Sequence, residues 1–314
     1  MRIRSKISSG LAKMAMITGF LGLFGGLTVC AQVDFMRTDS LFSFRSPKGY
    51  FPSLFHNIGD QAAAPFHFGT DEWLMTYGAV YFTAVFLYYD NNIDEWARVQ
   101  KEKHPWVKEV SPRITAFGGN PGILGVVGLG VASAFLHYEK GLQTSLLATQ
   151  AMITSGAWVR IIKILSGRER PYASYSNSQK PGGYWHGPFS QLTWDRVSGR
   201  QYNSSFDSFI SGHTATAFSI ATVFAEQYRD IPAIPVISYS LASLAGISRL
   251  TEHQHWASEV FAGAVMGYLC GKQVTGNYNR LTRRSMNEPP TGSPHKARLT
   301  FVPGGNQVGL RLTW

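Results

Sequence analysis

The sequence predicts an all-α protein, a helical bundle followed by a short C-terminal β-hairpin. Three observations carry that expectation. Six apolar segments, at 73–89, 121–138, 143–165, 208–226, 232–248 and 256–274, are each long enough for a helix. No strand-like alternation interrupts residues 73 to 274. The tail "ARLTFVPGGNQVGLRLTW" then alternates on both sides of a "PGGN" turn, as a hairpin does.

The elements follow in chain order. Residues 1–31 read as a signal peptide. Arg2, Arg4, Lys6 and Lys13 precede the apolar run "MAMITGFLGLFGGLTV", and "VCA" offers a cleavage site before Gln32. Residues 32–70 are aromatic, broken by Gly and Pro, and read as an irregular or partly helical lead-in. Residues 71–275 form the helical domain, punctuated by "NPG" at 120–122 and "IPAIP" at 231–235. Between its first two apolar segments, "DNNIDEWARVQKEKHPWVKEV" reads as a surface helix broken at Pro105. The aromatic stretch 172–205 has loop composition and reads as a pocket wall or lid. Residues 276–314 are a linker and the hairpin.

The chain has 314 residues and a formal charge of +10. That excess suits an anionic substrate or an anionic membrane surface. There is no long Lys/Arg cluster, no nucleic-acid motif and no zinc-type Cys/His spacing, so nucleic acid is not expected as a partner. Cleavage before Gln32 leaves Cys270 alone, so an exported protein of this sequence holds together by packing rather than by an internal disulfide. Segments 73–89, 120–138 and 231–248 lack charge over lengths near the minimum for a bilayer span. They are rich in Gly, Ala, Ser and Tyr rather than Leu, and the mean hydropathy is only −0.07. The balance favours a periplasmic bundle, with membrane association left open. The oligomeric state cannot be read from the sequence.

Three short segments contain groups that suit chemistry. Lys163 lies near the end of an apolar run and "GRERP" follows; buried cations need an anion. Taken alone, Lys163, Arg168 and Arg170 are better explained as a solvated helix end, where cations favour the dipole. In "SFISGHTATAFS", Ser211 and Gly212 precede a helix, whose N-terminal N–H groups can cradle an anion, with His213 at the rim. An N-cap serine beside a core histidine is the plain alternative. In "SRLTEHQHWASEV", His255 and Glu259 are four apart and share a helix face. A carboxylate on one ring nitrogen fixes the tautomer and raises the basicity of the other. His253 has no such partner at helical spacing, only the adjoining Glu252, so His255 is the candidate nucleophile.

The three segments resemble the signature of the superfamily of type 2 phosphatidic acid phosphatases, class A acid phosphatases and vanadium haloperoxidases. That signature is Lys, six residues, Arg-Pro; Pro-Ser-Gly-His; then Ser-Arg, five residues, His, three residues, Asp. Lys163 to Arg170-Pro171, Ser211-Gly212-His213, and Ser248-Arg249 to His255 match it. Ile210 stands for the proline and Glu259 for the aspartate. The resemblance covers 141–275 and implies an active site between the core helices. It also implies a phosphomonoester or pyrophosphate hydrolase that uses neither metal nor cofactor. His255 would form a phosphohistidine and His213 would act as general acid and base. Lys163, Arg170 and Arg249, with Ser211 and Gly212, would bind the phosphate oxygens. Glu259 would orient His255 at a longer reach than aspartate, and Ile210 would loosen the approach to the cradle. Within the superfamily, the export signal, helices and aromatic loop favour a phosphorylated lipid. A broad-specificity periplasmic acid phosphatase acting on phosphorylated small molecules comes next. A haloperoxidase, or a non-enzymatic membrane-associated protein, comes last.

Overall fold

The computed structural model describes residues 47–175, 182–192, 203–287, 298–304 and 307–313. The expected signal peptide, the lead-in up to residue 46, two parts of the aromatic loop (176–181 and 193–202) and linker residues 288–297 lie outside the described residues. The chain falls into two compact units, Met1–Gly276 and Asn277–Trp314.

The first unit is helical throughout its regular elements. Helix α1 spans Pro47–Ala63. Helix α2 spans Thr70–Lys103, 34 residues. Its start is favoured by Asp71 and Glu72, which face the positive end of the helix dipole. Glu72 also accepts the backbone N–H of Gly69 at 3.0 Å. Pro105 ends this helix, because proline disfavours helical backbone in the residue before it, and His104 is accordingly extended. The same proline opens α3, Pro105–Thr115, at a position where no N–H is needed. The apolar run 73–89 and the charged segment after it are therefore one helix as far as Lys103. The expected surface face needs correction: Asp90, Asp94 and Ala97 are buried.

A 3-10 turn, Ala116–Gly118, leads into α4, Asn120–Phe135. Helix α5, Glu139–Ser166, packs between α4 and α6, Gly212–Gln227. Helix α7, Ala233–Thr251, lies along α6, and α8 spans Ala257–Asn287. Their core is built from small residues. Phe218 is fully buried among Ala217, Ala221, Ala242, Ala245 and Ala264. Glycines bring α8 against α6. A Cβ on Gly263 would stand 2.5 Å from the Ser211 carbonyl oxygen, and one on Gly267 would overlap that of Ala215. Without them the start of α6 could not reach the start of α8. Helix α1 docks on α5 through polar groups: Asn57 donates to Gln150 at 2.9 Å, and Trp158 donates to Gln61 at 2.8 Å.

Candidate active site

The end of α5, the start of α6 and the turn between α7 and α8 converge. Lys163 lies in the last turn of α5, which Gly167 closes with a left-handed backbone (φ 56°). A side chain there would overlap Gly187, so both the conformation and the space require glycine. Lys163 Nζ donates to the Asp207 carbonyl at 2.6 Å and pairs with its carboxylate at 3.2 Å. Burial, reinforced by Arg170, pushes the Lys163 ammonium down to about 8 against the pull of Asp207. Arg170 is held by backbone: Nε donates to Ser204 at 3.0 Å and Nη1 to the Gln254 carbonyl at 3.0 Å.

Ser211 caps α6. Its hydroxyl accepts from the Thr214 hydroxyl at 2.8 Å and, weakly, from the Thr214 N–H at 3.4 Å. The Ser211 N–H donates to the Glu259 carbonyl at 3.1 Å, tying the cradle to the next helix. Gly212 and His213 follow as the first helical residues. His213 is half-buried against the 3-10 turn. A Cβ on Gly118 would overlap its backbone, and one on Gly119 would lie 3.2 Å from its Nε2. Burial, then Arg249, Arg170 and Lys163, lower the His213 imidazole to about 4. Ile210, expected to loosen this approach, is instead buried against Val159 and Ala215.

Arg249 ends α7 buried and bonded to Glu252, and its Nε has no hydrogen-bond partner among the described residues. His255 is 2% exposed. Its Nδ1 lies 2.9 Å from Glu259 Oε2. The same oxygen accepts from the Trp256 N–H at 3.1 Å and the Ser208 hydroxyl at 2.5 Å. Burial raises the Glu259 carboxyl to about 7 against the pull of Arg168; in its ionised form it only accepts, so that Nδ1 then carries the proton and Nε2 keeps its lone pair. Burial holds His255 well below 6.5, and Arg170, Lys163, Arg249 and His213 add to the shift. Four positive or ionisable groups from three distant segments thus bear on one ring.

Residues 144–283 match the model of the PAP2 superfamily. The match covers the motif-bearing core of this chain, which is similar to PAP2 phosphatases there. A 74-residue stretch is 45% identical to the lipid A 1-phosphatase of Porphyromonas gingivalis, covering 23% of this chain. This chain spans only 17% of that protein's length. A transmembrane PAP2-type phosphatidylglycerolphosphate phosphatase from Bacillus subtilis is similar at 22% identity and a TM-score of 0.44, over 66% of this chain and 96% of that one. Aquifex aeolicus LpxE is similar at 21% identity and a TM-score of 0.41, over 58% and 93%.

Several side chains around the matched segment escaped the sequence reading. His253, read as lacking a carboxylate partner apart from Glu252, bonds Asp94 of α2 at 2.9 Å. Glu252 pairs with Arg249 instead. Arg168, read as part of a solvated helix end, is 1% exposed and pairs with Asp90 of α2 at 2.7 Å. Its guanidinium lies between the Trp185 and Trp256 rings, 5.0 and 5.2 Å from their centroids. Residues 184–187 zip onto 167–169: Glu169 N donates to Tyr184 O at 2.9 Å and His186 N to Gly167 O at 3.0 Å. The described part of the aromatic loop therefore packs against the first motif.

Proposed function

We propose that this chain is a phosphatase that hydrolyses a phosphomonoester or pyrophosphate of a lipid through a phosphohistidine on His255. The observation that carries the reading is one buried imidazole, fixed by Glu259 on Nδ1 and influenced by Lys163, Arg170 and Arg249 on its surroundings. Phosphoryl transfer needs positioning and charge stabilisation above all. His255 Nε2 forms a bond to phosphorus as the bond to the leaving oxygen breaks, and His213 gives that oxygen its proton. Water then attacks phosphorus, yields its proton to His213, and the P–N bond breaks to release inorganic phosphate. Glu259 stabilises the positive ring at the intermediate. The three cations lower His213; a bound phosphate anion offsets their charge and lets the imidazole take up the proton it must donate. The unpartnered Nε of Arg249 suits an oxyanion.

Exposed apolar faces support a lipid substrate. Leu124, Val127, Val131 and Phe135 form a stripe on α4, and Ile237, Leu241 and Leu244 form another on α7. Soluble surfaces rarely carry such stripes together. Helix α7 is long and apolar enough to cross a bilayer, and only 28% of that window is buried. The bent pair Pro105–Gly118 and Asn120–Phe135 passes the same test jointly. The 74-residue match to a lipid A 1-phosphatase points the same way. In this reading the protein is exported and meets the membrane with its site facing the periplasm. In this reading the tail is a β-hairpin, its strands Arg298–Gly304 and Gln307–Thr313 paired antiparallel.

The test is phosphate release by the purified full chain from a phosphorylated lipid in detergent and from a soluble aryl phosphate. A strong preference for the lipid is expected. Equal turnover of both would favour the broad acid phosphatase, and no release from either would overturn the reading.

A further inference from the structure

We propose that Asp90 and Arg168 are positioning residues for the nucleophile, clamping Glu259 so that it holds His255 in line. The inference rests on the phosphatase reading and deepens it.

Asp90 comes from α2, outside the segment that matches the PAP2 model. Its carboxylate makes three contacts in a fully buried setting. Oδ1 accepts the Ser258 N–H at 2.9 Å. Oδ2 accepts the Ser258 hydroxyl at 2.6 Å and Arg168 Nη2 at 2.7 Å. Arg168 Nη1 then donates to the Ser258 hydroxyl at 2.9 Å and faces Glu259 Oε1 at 3.3 Å. Asp90 therefore grips both the backbone beside Glu259 and the guanidinium that faces it. Two tryptophans and the Gly182 carbonyl hold that guanidinium from its other sides.

The two oxygens of Glu259 are served unequally. Oε2 receives His255, Trp256 and Ser208. Among the described residues Oε1 has no hydrogen bond, and Arg168 faces it at 3.3 Å. A buried carboxylate without a facing cation takes up a proton or turns away. Either change removes the acceptor that fixes the His255 tautomer. Burial raises the Glu259 carboxyl to about 7, Arg168 is the strongest influence pulling it back towards the ionised form, and Asp90 adds to the rise. Lys163 and His255 are the other charged or titratable neighbours. The extra methylene of glutamate also has a use here. It gives the carboxylate the reach to touch His255 with one oxygen and Arg168 with the other, and the clamp removes the added rotational freedom.

The experiment uses the full chain and three single variants, Asp90→Asn, Arg168→Gln and Glu259→Gln, with the two doubles that include Glu259→Gln. Kinetics on a short-chain phosphatidic acid in detergent should show kcat reduced about 10- to 100-fold by the first two, with KM within about twofold, as for other groups that orient a catalytic imidazole. In the Glu259→Gln background neither should cost anything further, because both act through that carboxylate. Losses that multiply in the doubles, or a rise in KM at constant kcat, would overturn the clamp. The downfield Nδ1 proton resonance of His255 gives a readout independent of turnover: it should move in Asp90→Asn and Arg168→Gln, and an unmoved resonance would also overturn the clamp. If Asp90→Asn does not fold, Arg168→Gln carries the test with Arg168→Lys, which keeps a cation facing Glu259 and should lose less turnover than Arg168→Gln; an equal loss would overturn the clamp. A wild-type protein that releases no phosphate would sink the phosphatase reading, and the resonance would still judge the clamp.

Discussion

His253 and His255 are two residues apart, and each has its Nδ1 2.9 Å from a carboxylate oxygen. A histidine–carboxylate bond therefore does not by itself make a nucleophile. The two pairs differ in what surrounds them. The His253 side chain is 18% exposed, sits on a left-handed turn (φ 55°), and takes its partner Asp94 from α2. The His255 side chain is 2% exposed, its partner is four residues on, and Lys163, Arg170 and Arg249 all lower its proton affinity. The first pair joins a turn to a neighbouring helix. The second is buried under the influence of three cations, which is the setting the proposed attack on a phosphoryl group requires.

Breaking each pair should expose that difference. His255→Ala is expected to reduce kcat by at least about 10³-fold, as removal of a nucleophile does; His253→Ala in parallel should retain most turnover. Comparable losses in both would mean that the cation focus does not choose between them. Glu259→Gln keeps the shape but offers His255 an uncharged partner, and about a 10²-fold loss is expected in single-turnover phosphate release. Glu259→Asp, the residue usual in the family, should cost less, about 3- to 10-fold, because the shorter carboxylate can serve His255 or Arg168 but not both. Asp94→Asn, which weakens only the first pair, should change kcat by less than about threefold and be seen mainly as a lowered melting temperature.

The cation focus also has a pH signature. His213 sits at about 4 without an anion, below its ordinary 6.5. An anion that offsets Lys163, Arg170 and Arg249 raises it. Between about pH 4 and 6.5, binding should therefore draw protons from solution. Above that window His213 stays neutral in both states and no uptake is expected. Sulfate is a suitable probe because it does not titrate there. Calorimetry in buffers of different ionisation enthalpy should detect the uptake, and His213→Asn should abolish it.

Much of the bundle and of the motif spacing was legible locally. An i, i+4 relation places Glu259 beside His255, and the same glutamate, three residues into its helix turn, returns to the Trp256 N–H as a capping side chain would. Gly167 after an apolar helix announces its left-handed cap. The merging of 73–89 with the charged segment was less legible, since a change of composition looks like a boundary when only a proline breaks the backbone. Asp90, at the end of "FLYYD", offered one weak signal: a lone acid closing an apolar run wants a partner.

The amino-acid order by itself determined the helices, their caps and breaks, and the three short motifs, because those depend on groups a few residues apart. Only the tertiary structure decided which charges meet. Asp90 lies 78 residues from Arg168 and 168 from Ser258, and no periodicity relates positions so distant. Their pairing follows from the packing of α2 beside the start of α8, which leaves Asp90, Arg168 and Ser258 in a fully buried space. In such a space every buried charge must find an opposite one.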